Sequence, residues 1–331
     1  QAGIQLDLIQ QFPPGELWMI DKLTRQKSSI IQLRLNTLSF PVQSDFIHKP
    51  NTYVAIRQLL HHAVKKRISE QPTGFLLSGG LDSSIIATIA AEIMSPARIT
   101  TYSIGIKGDS SDLINARIVA AHLNTEHIEF EFDPHEALED IPKVIEHLET
   151  YDGPTIRTGV PLFTLCENIA KIGKHKVIIS GEGADELFGG YLYLHNAPSV
   201  GAFQKETIRL LKNMHQLNLP CLNQCSTAHG IEMRLPFLDH KVVEYVTHLD
   251  ASEKIPSFIR MEKMVLRKAF AGFLPYNILY RQQSSMSESV GSTWIYQIQK
   301  KIKSLKLDPP LSDESWFRYI YEHSPRFICY K

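Results

Sequence analysis

From residue 51 onward, short apolar runs alternate with segments whose apolar residues recur at helical spacing, and few folds accommodate that rhythm. Asn51 stands where it can cap a first helix carrying Val54, Ile56, Leu59, Leu60, Ala63 and Val64. Strand-like runs at 74–77 and 99–106 are each followed by a helical segment, over 83–94 and 112–123. Ile128, Phe130 and Phe132, with glutamates between them, read as a strand buried on one face. Helices over 135–149 and 161–172 lead into 176–179, a short apolar run suited to a central parallel strand. The alternation predicts an α/β fold, a doubly wound parallel sheet with helices on both faces and a ligand crevice at the carboxyl ends of its strands. Beyond about residue 198 the pattern is largely helical, including 239–249 and 261–273. Before residue 51 it is short alternating runs broken by Pro13, Pro14, Gly15 and Pro41, which predicts a boundary there: a mainly β segment over 1–50 and an α/β domain over 51–331.

Composition narrows the partners. Lys and Arg total 35 against 35 Asp and Glu, so no whole-molecule field draws nucleic acid or an anionic membrane, and neither is expected as a partner. The most apolar stretch, 75–94, is interrupted by Asp82 and two glycines and does not read as a membrane span. Four scattered cysteines in 331 residues suit reduced thiols and a cytoplasmic setting; Cys221 and Cys225 have three residues between them and no second pair, which disfavours zinc.

The most informative segment is Phe75-Leu76-Leu77-Ser78-Gly79-Gly80-Leu81-Asp82-Ser83-Ser84, an apolar strand turning through glycines into a helix. It lacks the Gly-Lys-Ser/Thr ending of a Walker A loop. Gly79 and Gly80 let backbone N–H groups approach an anion, Ser78, Ser83 and Ser84 add hydroxyl donors, and the helix start adds its dipole, which together describe a pyrophosphate cradle. Asp82 is either the cap of that helix or a ligand to Mg²⁺, since a carboxylate beside phosphate needs a bridging cation. A second segment, 177–191, repeats the arrangement: an apolar strand, Ser180-Gly181, then Glu182, Asp185 and Glu186 within five residues, which points to a metal or a general base.

These two motifs closely resemble the synthetase domain of the glutamine-dependent asparagine synthetases, in the adenine nucleotide alpha hydrolase-like (PP-loop) class. The segments 149–157, 229–240 and 262–267 are similar to the same family, in order, across 51–294. The resemblance implies ATP-dependent conversion of aspartate to asparagine through a β-aspartyl-adenylate attacked by ammonia. It implies that Ser78, Gly79, Gly80, Asp82, Ser83 and Ser84 hold pyrophosphate and Mg²⁺, with Asp185 aiding the metal. Leu76, Ile104, Ser180 and Gly181 would line the adenosine pocket, Arg157 would bind a substrate carboxylate, and Glu182 would act as base toward ammonia or order the intermediate. Partners implied are aspartate, ATP and ammonia, free or glutamine-derived, with a homodimer possible.

The chain departs from the family in places. Gln1 stands where the family's glutaminase cysteine begins the chain, so 1–50 reads as the remnant of a glutaminase domain and glutamine hydrolysis by that route is not expected. Gln283 replaces a lysine that contacts phosphates, and Pro154, Asn218 and Cys221 replace Thr, Asp and Arg. These changes leave two alternatives beside an asparagine-forming ligase: a ligase with another acceptor, or a catalytically weakened ATP-binding paralogue.

Overall fold

The structure, a computed structural model, describes residues 17–20, 27–31, 51–68, 70–282, 284–305 and 311–325. The chain divides into two units, 1–40 and 41–331. In the first, β1 (Leu17–Ile20) pairs antiparallel with β2 (Lys27–Ile31), Leu17 opposite Ile31, with an irregularity after Met19.

In the second unit the expected parallel sheet is present. Its strands are β3 (Thr73–Leu76), β4 (Thr100–Gly105), β5 (Glu126–Glu131), β6 (Val177–Ile179) and β7 (Glu232–Arg234), in the order β5-β4-β3-β6-β7. β4 and β6 are buried along their whole length, as strands covered on both faces must be, whereas the edge strand β5 keeps its terminal glutamates in solvent. The chain winds outward from β3 to β4 and β5, then crosses back to set β6 on the other side of β3. The strand order therefore reverses between β3 and β6, the place where open α/β sheets bind ligands.

The helices that frame this point are α1 (Thr52–Arg67), α2 (Leu81–Met94), α3 (Ser111–Leu123), α4 (Pro134–Leu148), α5 (Gly153–Ile172), α6 (Ala184–Phe188), α7 (Val200–Asn213) and α8 (Asn218–Thr227). α2 packs between α1 and α3, while α5 packs against α4 and α8. One buried cluster joins Tyr102 and Ile104 of β4 to Ile141 of α4, Ile156 and Phe163 of α5, and Trp294. None of the helices among the described residues is long and apolar enough to cross a membrane.

Three local expectations change. Asn51 precedes α1 but makes no side-chain cap; its backbone is left-handed at φ 66. α5 begins at Gly153 rather than 161, because the Asp152 carboxylate accepts from Thr155 N at 2.9 Å and fixes an earlier start. Pro161 then lies inside the helix, where it cannot donate to the Arg157 carbonyl one turn back. The indole N–H of Trp294 supplies that bond instead, at 3.0 Å. Finally, the helical pattern over 261–273 yields only Met264–Ala269, since Lys263 is left-handed at φ 55 and turns its side chain into the site described below.

Trp294 is fully buried and stacks edge-on to Phe132 at 5.2 Å. Trp294→Ala should lower stability by about 3–5 kcal/mol. Trp294→Phe keeps most of the ring but strands the Arg157 carbonyl, and should cost about 1–3 kcal/mol. Urea unfolding of the two variants measures both, and a Trp294→Phe protein as stable as the parent would rule out a role for the indole bond.

Candidate active site

Both motifs fold as the turns that leave β3 and β6, so the strand reversal brings them together. After β3 the chain passes through Ser78, Gly79 and Gly80 into α2. Gly79 has φ 70, and a Cβ there would lie 2.3 Å from the Asn115 backbone on α3, so only glycine lets the loop pass. The loop holds itself in shape: Ser78 N and Oγ both meet Ser83 Oγ, at 3.2 and 3.0 Å, and Gly80 N donates to Ser78 Oγ at 3.2 Å. The first N–H groups of α2 have no partner within the helix and point to the turn. Ser84 is buried, and its Oγ is unpartnered in the structure.

The β6 loop presses directly on this one. A Cβ on Gly181 would lie 2.8 Å from Ser83 N and 2.9 Å from the Asp82 carbonyl carbon, so a side chain there would push the two loops apart. Where they meet, Asp82 does not cap α2; Gly80 takes that position. Instead Asp82 Oδ2 and Asp185 Oδ1 lie 2.5 and 2.6 Å from one atom, the Lys263 ammonium, whose side chain is wholly inaccessible to solvent. Gly190 makes room for this bridge, since its Cβ would lie 1.8 Å from Asp185 Oδ1. Burial by itself would pull the Lys263 ammonium down, but Asp185 and Asp82 together outweigh it and hold it above its ordinary value.

The Asp82 and Asp185 oxygens that meet Lys263 are taken by its ammonium, so Mg²⁺, which takes one or two carboxylates and completes its shell with water and phosphate oxygens, would use the remaining carboxylate oxygens. Asp82 Oδ1, buried with no hydrogen-bond partner, is a further oxygen for such an ion. Among the described residues no set of three His, Cys, Asp or Glu stands ready to hold a metal without phosphate.

Beside the bridge, Glu186 is buried, and its Oε1 accepts from Tyr191 Oη at 2.5 Å and from Asn218 Nδ2 at 2.8 Å. Asn218 opens α8, and an aspartate there would set two carboxylates face to face without a proton between them. Desolvation, then the charges of Glu186, Asp185 and Asp82, push the Glu182 carboxyl up to about 8. Glu182 is exposed, so water screens part of that push.

Other expected residues fall as follows. Leu76 ends β3 and packs against the cluster that contains the buried Ile104 of β4, forming an apolar wall at the carboxyl end of the sheet. Ser180 is buried, with its N–H donating to the Arg234 carbonyl at 3.0 Å. Arg157 is in α5, and its guanidinium pairs with Asp313 of the helix Asp313–His323 rather than with the loop acids. Cys221 and Cys225 are buried against the Thr155 and Gly159 carbonyls, at 3.9 and 3.6 Å. Gln283 lies outside the described residues. Sequence reasoning assigned no role to Lys263, to the buried Arg267–Glu262 pair at 2.5 Å, or to Arg281. A signal existed: acids clustered at a strand end require a nearby cation, and Lys263 stands in one of the segments already singled out.

The raised carboxyl has a consequence for pH. A carboxyl whose folded pKa exceeds its ordinary 4.5 holds a proton that the unfolded chain releases, so its contribution is complete below about 4.5 and is lost as pH rises toward about 8. Asp82, raised chiefly by burial, acts in the same sense. Glu182→Gln should therefore shrink the fall in melting temperature between about pH 5 and about pH 8. Parallel curves for the two proteins would refute the shift.

The family model described as asparagine synthase matches residues 55–219 and 197–323. A probable asparagine synthetase [glutamine-hydrolyzing] of Schizosaccharomyces pombe is 39% identical over 315 residues, covering 87% of this chain and 55% of that one. A Dictyostelium discoideum protein of the same description is 35% identical, covering 93% and 59%. Asparagine synthetase [glutamine-hydrolyzing] 1 of Arabidopsis thaliana is 41% identical, covering 74% and 44%. The chain thus spans about half the length of the curated relatives it matches. A solved NMN synthetase from Francisella tularensis aligns at a TM-score of 0.38 with 13% identity, covering 83% of this chain and 93% of that one, too slight a likeness to bear on the site. With the family model matched from residue 55 to residue 323, across both site loops and the lysine that joins them, this chain belongs to the asparagine synthase family.

Proposed function

We propose that the chain is an ATP-dependent amide ligase that converts aspartate to asparagine through a β-aspartyl-adenylate, with ammonia as the nitrogen donor. The observation that carries this reading is the convergence of Asp82 and Asp185 on one cation at the strand reversal, beside a glycine cradle, in a chain of this family. An aspartate β-carboxylate is a poor electrophile until one of its oxygens becomes part of a good leaving group. In the first step that oxygen attacks the α-phosphorus of ATP and pyrophosphate departs. The backbone N–H groups of Gly79, Gly80 and the start of α2, with the hydroxyls of Ser78, Ser83 and Ser84, meet the charge that moves onto the pyrophosphate. Asp82 and Asp185 would hold Mg²⁺, which supplies further neutralisation of the phosphates when bound.

Leu76, Ile104, Ser180 and Gly181 form the side of the crevice that suits adenosine. In the second step ammonia attacks the activated carbonyl, AMP leaves, and a proton must go from the nitrogen to a base. Glu182 suits that task, since a carboxyl raised toward neutrality takes protons that an ordinary carboxylate would leave. Arg157 reaches a substrate carboxylate only by exchanging Asp313 for it, one anion for another. The stretch 1–50 reads as the end of a preceding glutaminase-type domain, in line with the β1–β2 hairpin.

Purified chain with Mg²⁺, ATP, aspartate and ammonium should form AMP, pyrophosphate and asparagine in equal amounts, and aspartate alone should support ATP–pyrophosphate exchange. Formation of ADP and phosphate, or exchange that does not depend on aspartate, would overturn the reading. Lys263→Met should reduce exchange by about a hundredfold or more, through loss of a charge placed among the reacting groups. Gln283→Lys should raise exchange severalfold.

A further inference from the structure

Among the described residues, the cations that face the two loops are mostly spent. Lys263 is held between Asp82 and Asp185. Arg267, also buried, is closed by the Glu262 carboxylate at 2.5 Å and by the Glu262 and Leu279 carbonyls at 2.8 and 2.6 Å. Arg281 differs. Its Nη2 donates to Asp112 Oδ1 at 2.8 Å and to Ser111 Oγ at 3.0 Å, which fixes the guanidinium plane at the start of α3. Its Nη1 makes one long contact, 3.5 Å, with the carbonyl oxygen of Ser78, the first residue of the cradle.

The segment that carries Arg281 is anchored from its other end. Ser289 Oγ donates to Asp112 Oδ2 at 2.6 Å, Ser110 Oγ donates to the Ser289 carbonyl at 2.8 Å, and Ile106 N donates to the Val290 carbonyl at 2.8 Å. Asp112 thus holds the segment twice, once through Arg281 and once through Ser289. The result is a planar donor fork at the rim of the cradle, 14% exposed, locked through one nitrogen and nearly idle through the other. A contact of 3.5 Å to a neutral carbonyl is marginal, whereas a phosphate oxygen offers a charged acceptor to a geometry already set.

The charge balance favours the same use. Asp82 and Asp185 outnumber Lys263, and a polyphosphate adds more negative charge, so one metal ion and one lysine leave anionic excess beside the departing pyrophosphate. We propose that Arg281, through Nη1, contacts the pyrophosphate portion of ATP and stabilises it as it leaves. The assignment rests on the reading of residues 78–84 as a pyrophosphate cradle.

The test is equilibrium binding of Mg·pyrophosphate, Mg·ATP and adenosine to the full chain, with melting temperatures alongside. Arg281→Gln would leave Asp112 unpaired, so the main variant is the double change Arg281→Gln with Asp112→Asn, and Arg281→Lys keeps the charge without the fork. The double variant should bind Mg·pyrophosphate and Mg·ATP about tenfold or more weakly, with adenosine changed less than about twofold and Arg281→Lys in between. Unchanged pyrophosphate binding, or adenosine weakened in parallel, would overturn the assignment. A wild-type chain that binds adenosine but no pyrophosphate would overturn the cradle reading and the assignment with it.

Discussion

The ammonium of Lys263 between Asp82 and Asp185 is the contact on which the rest of the site depends. The two carboxylates come from the first turns of α2 and α6, about a hundred residues apart in sequence, and like charges brought this close in space repel unless a cation stands between them. The structure places that cation by bending the backbone at Lys263 into a left-handed turn and by keeping residue 190 free of a side chain. Loop approach, helix start and glycine placement are all consequences of one buried charge balance.

Around that balance the chain replaces charge with neutral polar groups. Asn218 donates to a buried glutamate that an aspartate would repel, and Tyr191 closes the same carboxylate from the other side. Pro154 sits in the first turn of α5, where its missing N–H is of no consequence, and the later Pro161 is tolerated because an indole from a distant helix serves the carbonyl it leaves open. Pro154, Asn218 and Cys221 therefore each have a local structural setting that suits the residue present.

Much of this was legible beforehand. The parallel sheet, its central strands and the two loops that follow β3 and β6 were readable because apolar periodicity and glycine-serine turns are local signals. The helix boundaries were less so. α5 starts eight residues earlier than its apolar pattern suggests, since Asp152 caps it, and the helix after Lys263 starts later, since that lysine is drawn to acids on other loops. Asp82 could be read as a helix cap or, the favoured reading beside phosphate, as a cation ligand; the structure gives the cap position to Gly80 and pairs Asp82 with Lys263.

The sequence by itself determined the class of fold and the family, because both are written in contiguous motifs, and the same motifs name the residues proposed to meet a polyphosphate. Tertiary structure alone decided which charges neutralise which: Lys263 with the two loop acids, Arg157 with Asp313, and Arg281 with Asp112 at the rim of the cradle. The physical reason is that charge pairing depends on distance in space, and the strand reversal between β3 and β6 brings together residues that no local pattern connects.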